Sequence, residues 1–286
     1  MSRIVYLNGS FVPYEEAKVP IMDRGFLFAD GIYEVSAVLN GRLVDNEAHL
    51  ARLDRSLAEI RIPNPHAAAE WTRLEEELVR RNGLTEGLVY MQVTRGVAER
   101  DFSFPKDVAP TVMMFTQVKS ILRSPYAETG VAVVTVPDLR WKRRDIKSVA
   151  LLAQVLAKQA AAEAGVYEAW MVEDGYVTEG SSSTAFIVTQ DGRIVTRPLS
   201  TAVLPGITRL AVLRLAKETG LALEERLFTV EEALSASEAF LTSASSFVMP
   251  VVSVDGKPVG SGKVGPHARA LRALYLDMAG ATAKAA

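Results

Sequence analysis

The chain has 286 residues, 49% apolar and 23% charged, with a formal net charge of -2, which is the composition of a globular protein with room for two modest domains or one large one. The near-neutral balance offers no basic footprint for nucleic acid, and the absence of cysteine excludes disulfides, thiolate nucleophiles and Cys-ligated metals. His49, His66 and His267 are too scattered for a zinc motif, the first residues lack the apolar core of a signal peptide, and no stretch approaches the ~18 consecutive apolar residues of a membrane span. The expectation is a soluble, cytoplasmic protein whose chemistry rests on lysine, arginine, tyrosine, hydroxyls, carboxylates or a cofactor.

In chain order, Asn8-Gly9, Asn40-Gly41, Asp174-Gly175, Asp191-Gly192 and Asp255-Gly256 each lie between strand-like runs. Both residues of such a pair tolerate positive φ, so each predicts a type I′ hairpin turn. The first hairpin joins Ile4–Leu7 to Phe11–Val12, and the second joins Tyr33–Leu39 to Arg42–Val44. Leu50, Leu53, Leu57 and Ile60 recur at helical spacing from Glu47 onward, behind an Asn46 cap. A second helix carries Trp71, Leu74, Leu78 and Val79 and stops near Gly83. Val89–Arg95 and Thr111–Val118 read as strands, separated by a polar loop with the aromatic end Arg100-Asp-Phe-Ser-Phe104. The N-terminal domain, residues 1–118, is thus α+β, and 119–125 reads as a linker.

A second domain, 126–286, opens with the strand Val131–Val136. A helix over Ser148–Ala164 follows, closed by Gly165, then strands at Glu168–Val172, Tyr176–Val177 and Ala185–Val188. Leu204-Pro-Gly-Ile-Thr-Arg209 opens a helix running to Gly220, and Thr229-Val-Glu-Glu232 is a capping box. Strands at Ala239–Thr242 and Val251–Val254 come next, then a helix from Pro266 and an alanine-rich tail expected to fray.

Four stretches could carry chemistry. Lys147 ends the charge-dense run Arg140-Trp-Lys-Arg-Arg-Asp-Ile-Lys147, at the start of the predicted helix. There the helix dipole opposes protonation, and a neutral amine attacks carbonyls; the plainer reading is a surface lysine in a basic cluster. Leu204-Pro-Gly-Ile-Thr208 presents free N–H groups and a hydroxyl at a helix start, either an anion site or an ordinary cap. Thr242-Ser-Ala-Ser-Ser246 could hold a phosphate or simply turn. Glu179, in Thr178-Glu-Gly-Ser-Ser-Ser-Thr184, either faces solvent or holds a ring nitrogen protonated. Gly260-Ser-Gly-Lys263 lacks the spacing and hydroxyl of a phosphate loop. An amine, two anion turns and a carboxylate together describe a pyridoxal phosphate site.

The chain resembles the fold-type IV pyridoxal phosphate enzymes, most closely the D-amino acid aminotransferases. The resemblance rests on Asp23-Arg-Gly25, Phe28-Ala-Asp-Gly-Ile-Tyr-Glu34, Glu47-Ala-His-Leu-Ala-Arg-Leu53, Gln92-Val-Thr-Arg-Gly96, Asp145-Ile-Lys-Ser148, Val177-Thr-Glu-Gly-Ser-Ser-Ser183, Leu204-Pro-Gly-Ile-Thr-Arg209 and Thr242-Ser243. It implies a two-domain fold, mixed α+β and α/β, with the active site between the domains. It implies a homodimer binding pyridoxal 5′-phosphate, with Lys147 as the aldimine lysine and general acid/base and Glu179 on the pyridine nitrogen. Arg52, Gly206, Ile207 and Thr208 would hold the phosphate, with Ser243 and Ala244 nearby and Leu204 against the ring.

In that family a tyrosine, an arginine and a histidine trap the substrate carboxylate, the latter two reaching over from the partner subunit. Tyr33 and Arg100 match the first two, and Phe102 stands where the histidine is expected; Ala244 replaces a common hydroxyl. Phe102 cannot donate a hydrogen bond, which leaves Arg100 with more of the carboxylate in a more apolar site. The implied activity moves the amino group of a D-amino acid to 2-oxoglutarate or pyruvate. The alternatives are a branched-chain L-amino acid or (R)-amine transaminase, an aminodeoxychorismate lyase of the same fold, and a non-catalytic ligand-binding protein.

Overall fold

In a computed structural model that describes residues 2–280, the chain divides into two compact units, 1–120 with 146–150, and 121–145 with 151–286. The predicted tail beyond Gly280 lies outside the described residues.

The first unit runs β1 (Ile4–Leu7), β2 (Ser10–Pro13), α1 (Arg24–Phe28), β3 (Gly31–Leu39), β4 (Arg42–Leu43), α2 (Asn46–Glu59), α3 (Ala68–Arg81), β5 (Glu86–Thr94) and β6 (Thr111–Val118). Its strands form one antiparallel sheet, ordered β2-β1-β6-β5-β3-β4. Leu50, Leu53 and Leu57 of α2 and Trp71, Leu74 and Leu78 of α3 are buried against that sheet in one core, which is what their helical spacing requires. The expected Asn46 cap is corrected: Asn46 is the first helical residue, behind Asp45 in the left-handed region, and its amide reaches Thr72 Oγ1 at 3.2 Å.

A buried acid sits in this packing. Glu75 on α3 is 1% exposed, and its Oε2 has no hydrogen-bond partner. Burial pushes its carboxyl up to about 8, against the Asn46 amide and with the charges of Glu34 and Glu76 adding. A folded-state value above the unfolded one destabilises increasingly as pH rises from about 4.5 towards 8. Glu75→Gln is therefore expected to melt higher than the parent at pH 8, the advantage vanishing near pH 4.5. A pH-independent difference between the two melting curves would refute this.

The second unit runs α4 (Tyr126–Thr129), β7 (Val131–Pro137), α5 (Leu152–Glu163), β8 (Glu168–Glu173), β9 (Tyr176–Gly180), β10 (Thr184–Val188), β11 (Ile194–Thr196), α6 (Ile207–Glu218), β12 (Leu223–Glu225), α7 (Val230–Ser235), β13 (Glu238–Ser243), β14 (Phe247–Val254), β15 (Lys257–Pro258) and α8 (Pro266–Met278). Its mixed sheet is ordered β12-β11-β10-β13-β14-β7-β8-β9, with β15 on β14. Trp170, Phe228 and Leu241 lie in its main core, and α5 buries only Ala157 and Ala161 against β8. Of the five Asn/Asp-Gly pairs read as hairpin turns, four adopt positive φ at both residues, but Asp191 does not. There Thr189 N–H bonds to Arg193 O and Gly192 N–H to Thr189 O, a wider turn.

The predicted start of the helix after Lys147 is also corrected, from Ser148 to Leu152. Lys147–Val149 instead pair with the first part of β3, which has a free edge beyond β4. Tyr33 N–H donates to Lys147 O, Val149 N–H donates to Gly31 O, both at 3.0 Å, and Ser148 bridges Ile32. Lys147, expected in the second domain, therefore belongs to the first unit and is placed by strand pairing rather than by a helix end.

Candidate active site

In the N-terminal unit, Tyr33 and Glu34 lie on opposite faces of β3, as alternation demands. Tyr33 stacks on Tyr90 at 5.5 Å, and Tyr90 on Phe115 at 4.8 Å, forming an aromatic ladder across β3, β5 and β6. The half-buried Lys147 holds its Nζ 4.1 Å from the Tyr33 ring centroid. The two residues that the motifs single out for substrate and amine chemistry are thus neighbours.

On the helix-facing side, Glu34 is buried against α2. Arg52 Nε and Nη2 donate to its two carboxylate oxygens, each at 2.8 Å, and His49 Nδ1 lies 2.8 Å from Oε2. Burial alone would raise the Glu34 carboxyl, but the Arg52 charge, its two hydrogen bonds and His49 outweigh it and hold the group at about 2. Arg52 is therefore clamped in one orientation. His49 and Glu34 lie within the family motifs but are given no role by the sequence reading, although His49 and Arg52 share a helix face at i, i+3.

Arg100 and Phe102 sit exposed at the tip of the loop after β5. The loop is anchored below them by Arg24 Nη1, which donates to Asp101 O at 2.6 Å, and by Phe104, whose ring centroid lies 3.6 Å from the Arg95 guanidinium. The Arg100 guanidinium lies 5.2 Å from the Phe28 centroid and 5.5 Å from that of Phe102. The phenyl ring at 102 thus helps to flank the cation.

In the C-terminal unit, Glu179 is 4% exposed near the end of β9. Leu204 N–H donates to both its oxygens, at 3.2 and 3.3 Å, and Arg140 Nη1 pairs with Oε1. Burial pushes the Glu179 carboxyl up, and Arg140 and the Leu204 N–H oppose the rise. Arg140 is itself held by Asp138 through Nε at 2.9 Å and Nη2 at 2.7 Å. Arg144 continues the series, 3.3 Å from Asp138 and 2.7 Å from Glu173. The run that reads as a solvated basic segment thus buries two arginines between acids. Sequence reasoning misses Asp138, Arg140 and Arg144 as parts of the site; Asp and Arg two apart after a strand are the local trace of it.

Gly206 precedes α6 without a side-chain cap, and Ile207 and Thr208 are buried in the first turn. A Cβ at Gly206 would meet Thr184 Oγ1 at 2.9 Å, and Thr184 pairs with Thr242 of β13. Thr242 Oγ1 is buried without a partner. Beyond it, Ser243 Oγ and Ser246 Oγ lie 2.7 Å apart, with Ala244 half-buried between. Helix-start N–H groups without intrahelical partners and an unmatched hydroxyl suit a phosphate. A desolvated carboxylate such as Glu179 suits a protonated ring nitrogen, whose charge offsets its burial. On both counts the residues present fit pyridoxal phosphate. Among the described residues no group of three His, Cys, Asp or Glu could hold a metal ion.

Comparison with known proteins gives the same direction. Residues 31–254 match the sequence profile of Amino-transferase class IV. The chain is 44% identical over 271 residues to a D-alanine aminotransferase of Staphylococcus aureus, covering 94% of this chain and 95% of the relative. It is 43% identical over 264 residues to that of Bacillus licheniformis, covering 92% of each. Among solved structures, a branched-chain amino acid aminotransferase from T.th., solved with pyridoxamine 5′-phosphate, superposes with a TM-score of 0.90 at 27% identity, covering 98% of this chain and 95% of that one.

Proposed function

Because the chain belongs to the class IV amino-transferases, a family of pyridoxal phosphate-dependent enzymes of fold type IV, we propose that it moves the amino group of D-amino acids to a 2-oxo acid such as 2-oxoglutarate or pyruvate. The observation that carries the D-amino acid reading is the 44% identity to a D-alanine aminotransferase along nearly the whole chain. When bound, pyridoxal phosphate delocalises the charge left at a deprotonated substrate carbon. Lys147 Nζ removes the proton from the substrate Cα and later returns one, its amine kept beside the Tyr33 ring. Glu179 holds the ring nitrogen protonated, backed by Arg140 and Asp138. The start of α6 with Gly206, Ile207 and Thr208, the Thr242–Ala244 turn and Arg52 take the phosphate, and Leu204 packs on the ring. Tyr33 and Arg100 take the substrate carboxylate, with Phe102 giving an apolar wall.

The enzyme acts as a cytoplasmic homodimer in this proposal. Leu152, Val155 and Leu156 form an exposed apolar stripe on α5 at helical spacing, which suits burial against a second copy. Among the described residues no helix is long and apolar enough to cross a membrane.

A donor panel of D- and L-alanine, D-glutamate, L-leucine and (R)-phenylethylamine with 2-oxoglutarate tests the reading. D-alanine is expected to exceed L-alanine in kcat/KM by at least about 100-fold, since a carboxylate clamp that misaligns one enantiomer forfeits near-attack geometry. Activity confined to L-leucine or to the aromatic amine would overturn it.

A further inference from the structure

Glu168, the first residue of β8, is 1% exposed, and its carboxylate gathers the three consecutive serines of the turn that follows Glu179. Oε1 accepts from Ala169 N–H at 2.9 Å and from the Ser181 hydroxyl. Oε2 accepts from Ser182 Oγ at 2.8 Å and Ser183 Oγ at 3.2 Å. Lys158 Nζ lies 3.5 Å from Oε1.

This turn has an unusual task. β9 and β10 stand far apart in the strand order of their sheet yet touch at the turn that joins them. No ladder runs between them to set its geometry. Two backbone hydrogen bonds tie it down, Gly180 N–H to Ser183 O at 2.7 Å and Ser181 N–H to Ala169 O at 2.9 Å. The turn also packs directly on the acid: a Cβ at Gly180 would overlap Ser183 Oγ and lie 3.3 Å from Glu168 Cγ. Glu179 immediately precedes that glycine.

We propose that Glu168 is a positioning residue, whose carboxylate locks Ser181, Ser182 and Ser183 and thereby aims Glu179 at the cofactor's ring nitrogen. The inference rests on the cofactor reading given above and deepens it. An anion accepting four donors fixes a turn more firmly than neutral hydroxyls do, because charge-assisted hydrogen bonds are roughly twice as strong as neutral ones. Removing it strands three hydroxyls and an N–H.

The test uses full-length parent, Glu168→Ala, Glu168→Gln and Ser182→Ala, each stripped of cofactor. The dissociation constant for pyridoxal phosphate, the pH titration of the bound cofactor's visible band and the melting temperature of the stripped protein are measured. Glu168→Ala is expected to weaken cofactor binding roughly tenfold, the equivalent of one polar group left unsatisfied, and to move the pH at which the band changes. Glu168→Gln and Ser182→Ala should shift both readouts in the same direction by less, which keeps the test open if Glu168→Ala fails to fold. Variants that melt lower but bind and titrate as the parent does would overturn the proposal, leaving Glu168 a stabilising residue only. A parent protein that takes up no cofactor would overturn the functional reading itself, and the two failures are told apart by that measurement.

Discussion

Lys147→Ala is expected to lower kcat for D-alanine by about 10²–10⁴-fold, the usual contribution of a positioned acid/base, while leaving the fold intact. The backbone at 147 is fixed independently of its side chain, through Tyr33 N–H to Lys147 O and Ser148 on Ile32. The side chain is half-buried, and its contact with the Tyr33 ring is a cation–π contact of about 0.5–1 kcal/mol at an accessible site. The melting temperature should therefore move little. Borohydride should no longer attach the cofactor covalently to the variant, since the amine that would retain it is gone. A variant within tenfold of the parent in single turnover would remove Lys147 from the chemistry.

The largest stability effect is expected at Glu34. Glu34→Ala removes the carboxylate that pairs with the Arg52 guanidinium, 7% exposed, and with His49, 3% exposed. Breaking one side of a buried ion pair costs about 3–5 kcal/mol, read by urea unfolding through Trp71, which is buried in the same core. Replacing Arg52 by Met as well should recover part of the loss, because the uncompensated charge is then absent. A loss below about 1 kcal/mol in the single variant would show that the trio is not coupled. The pH dependence has a definite sign. With the Glu34 carboxyl held at about 2, below its unfolded value of about 4.3, its contribution is complete above about pH 5 and lost as pH falls towards 2. Glu75 acts in the opposite sense at higher pH, so the N-terminal unit should be most stable near pH 5.

What could be read from the chain follows the range of the signal. Asn8-Gly9 and Asn40-Gly41 declare their turns because two adjacent residues decide the backbone there, and Pro266 marks a helix start for the same reason. Asp191-Gly192 misleads, since Thr189 Oγ1 and the Thr189–Arg193 bonds favour a wider turn. The lysine segment looks helical because Ser148–Ala164 is small and apolar, yet a free edge on β3, more than a hundred residues earlier, pairs with its first residues. The residues proposed for the site were named through the family motifs. Their supports were not: Glu34, His49, Asp138, Arg140 and Glu168 acquire meaning only when distant strands bring them together, and a buried arginine looks like any other in a string of letters.

The segment carrying Lys147, bridged to β3 at Ser148, has a consequence for biosynthesis. Residues 146–150 complete a unit whose other members end at Ser120. When the first 120 residues have left the ribosome, Gly31 and Tyr33 still lack the partners that Lys147 and Val149 supply. An unpaired strand edge of that kind is open to association with other chains. A nascent chain halted at residue 120 should therefore be more protease-sensitive around β3 than one released past residue 150. The residue proposed to do the chemistry also lies in the segment that closes the first unit.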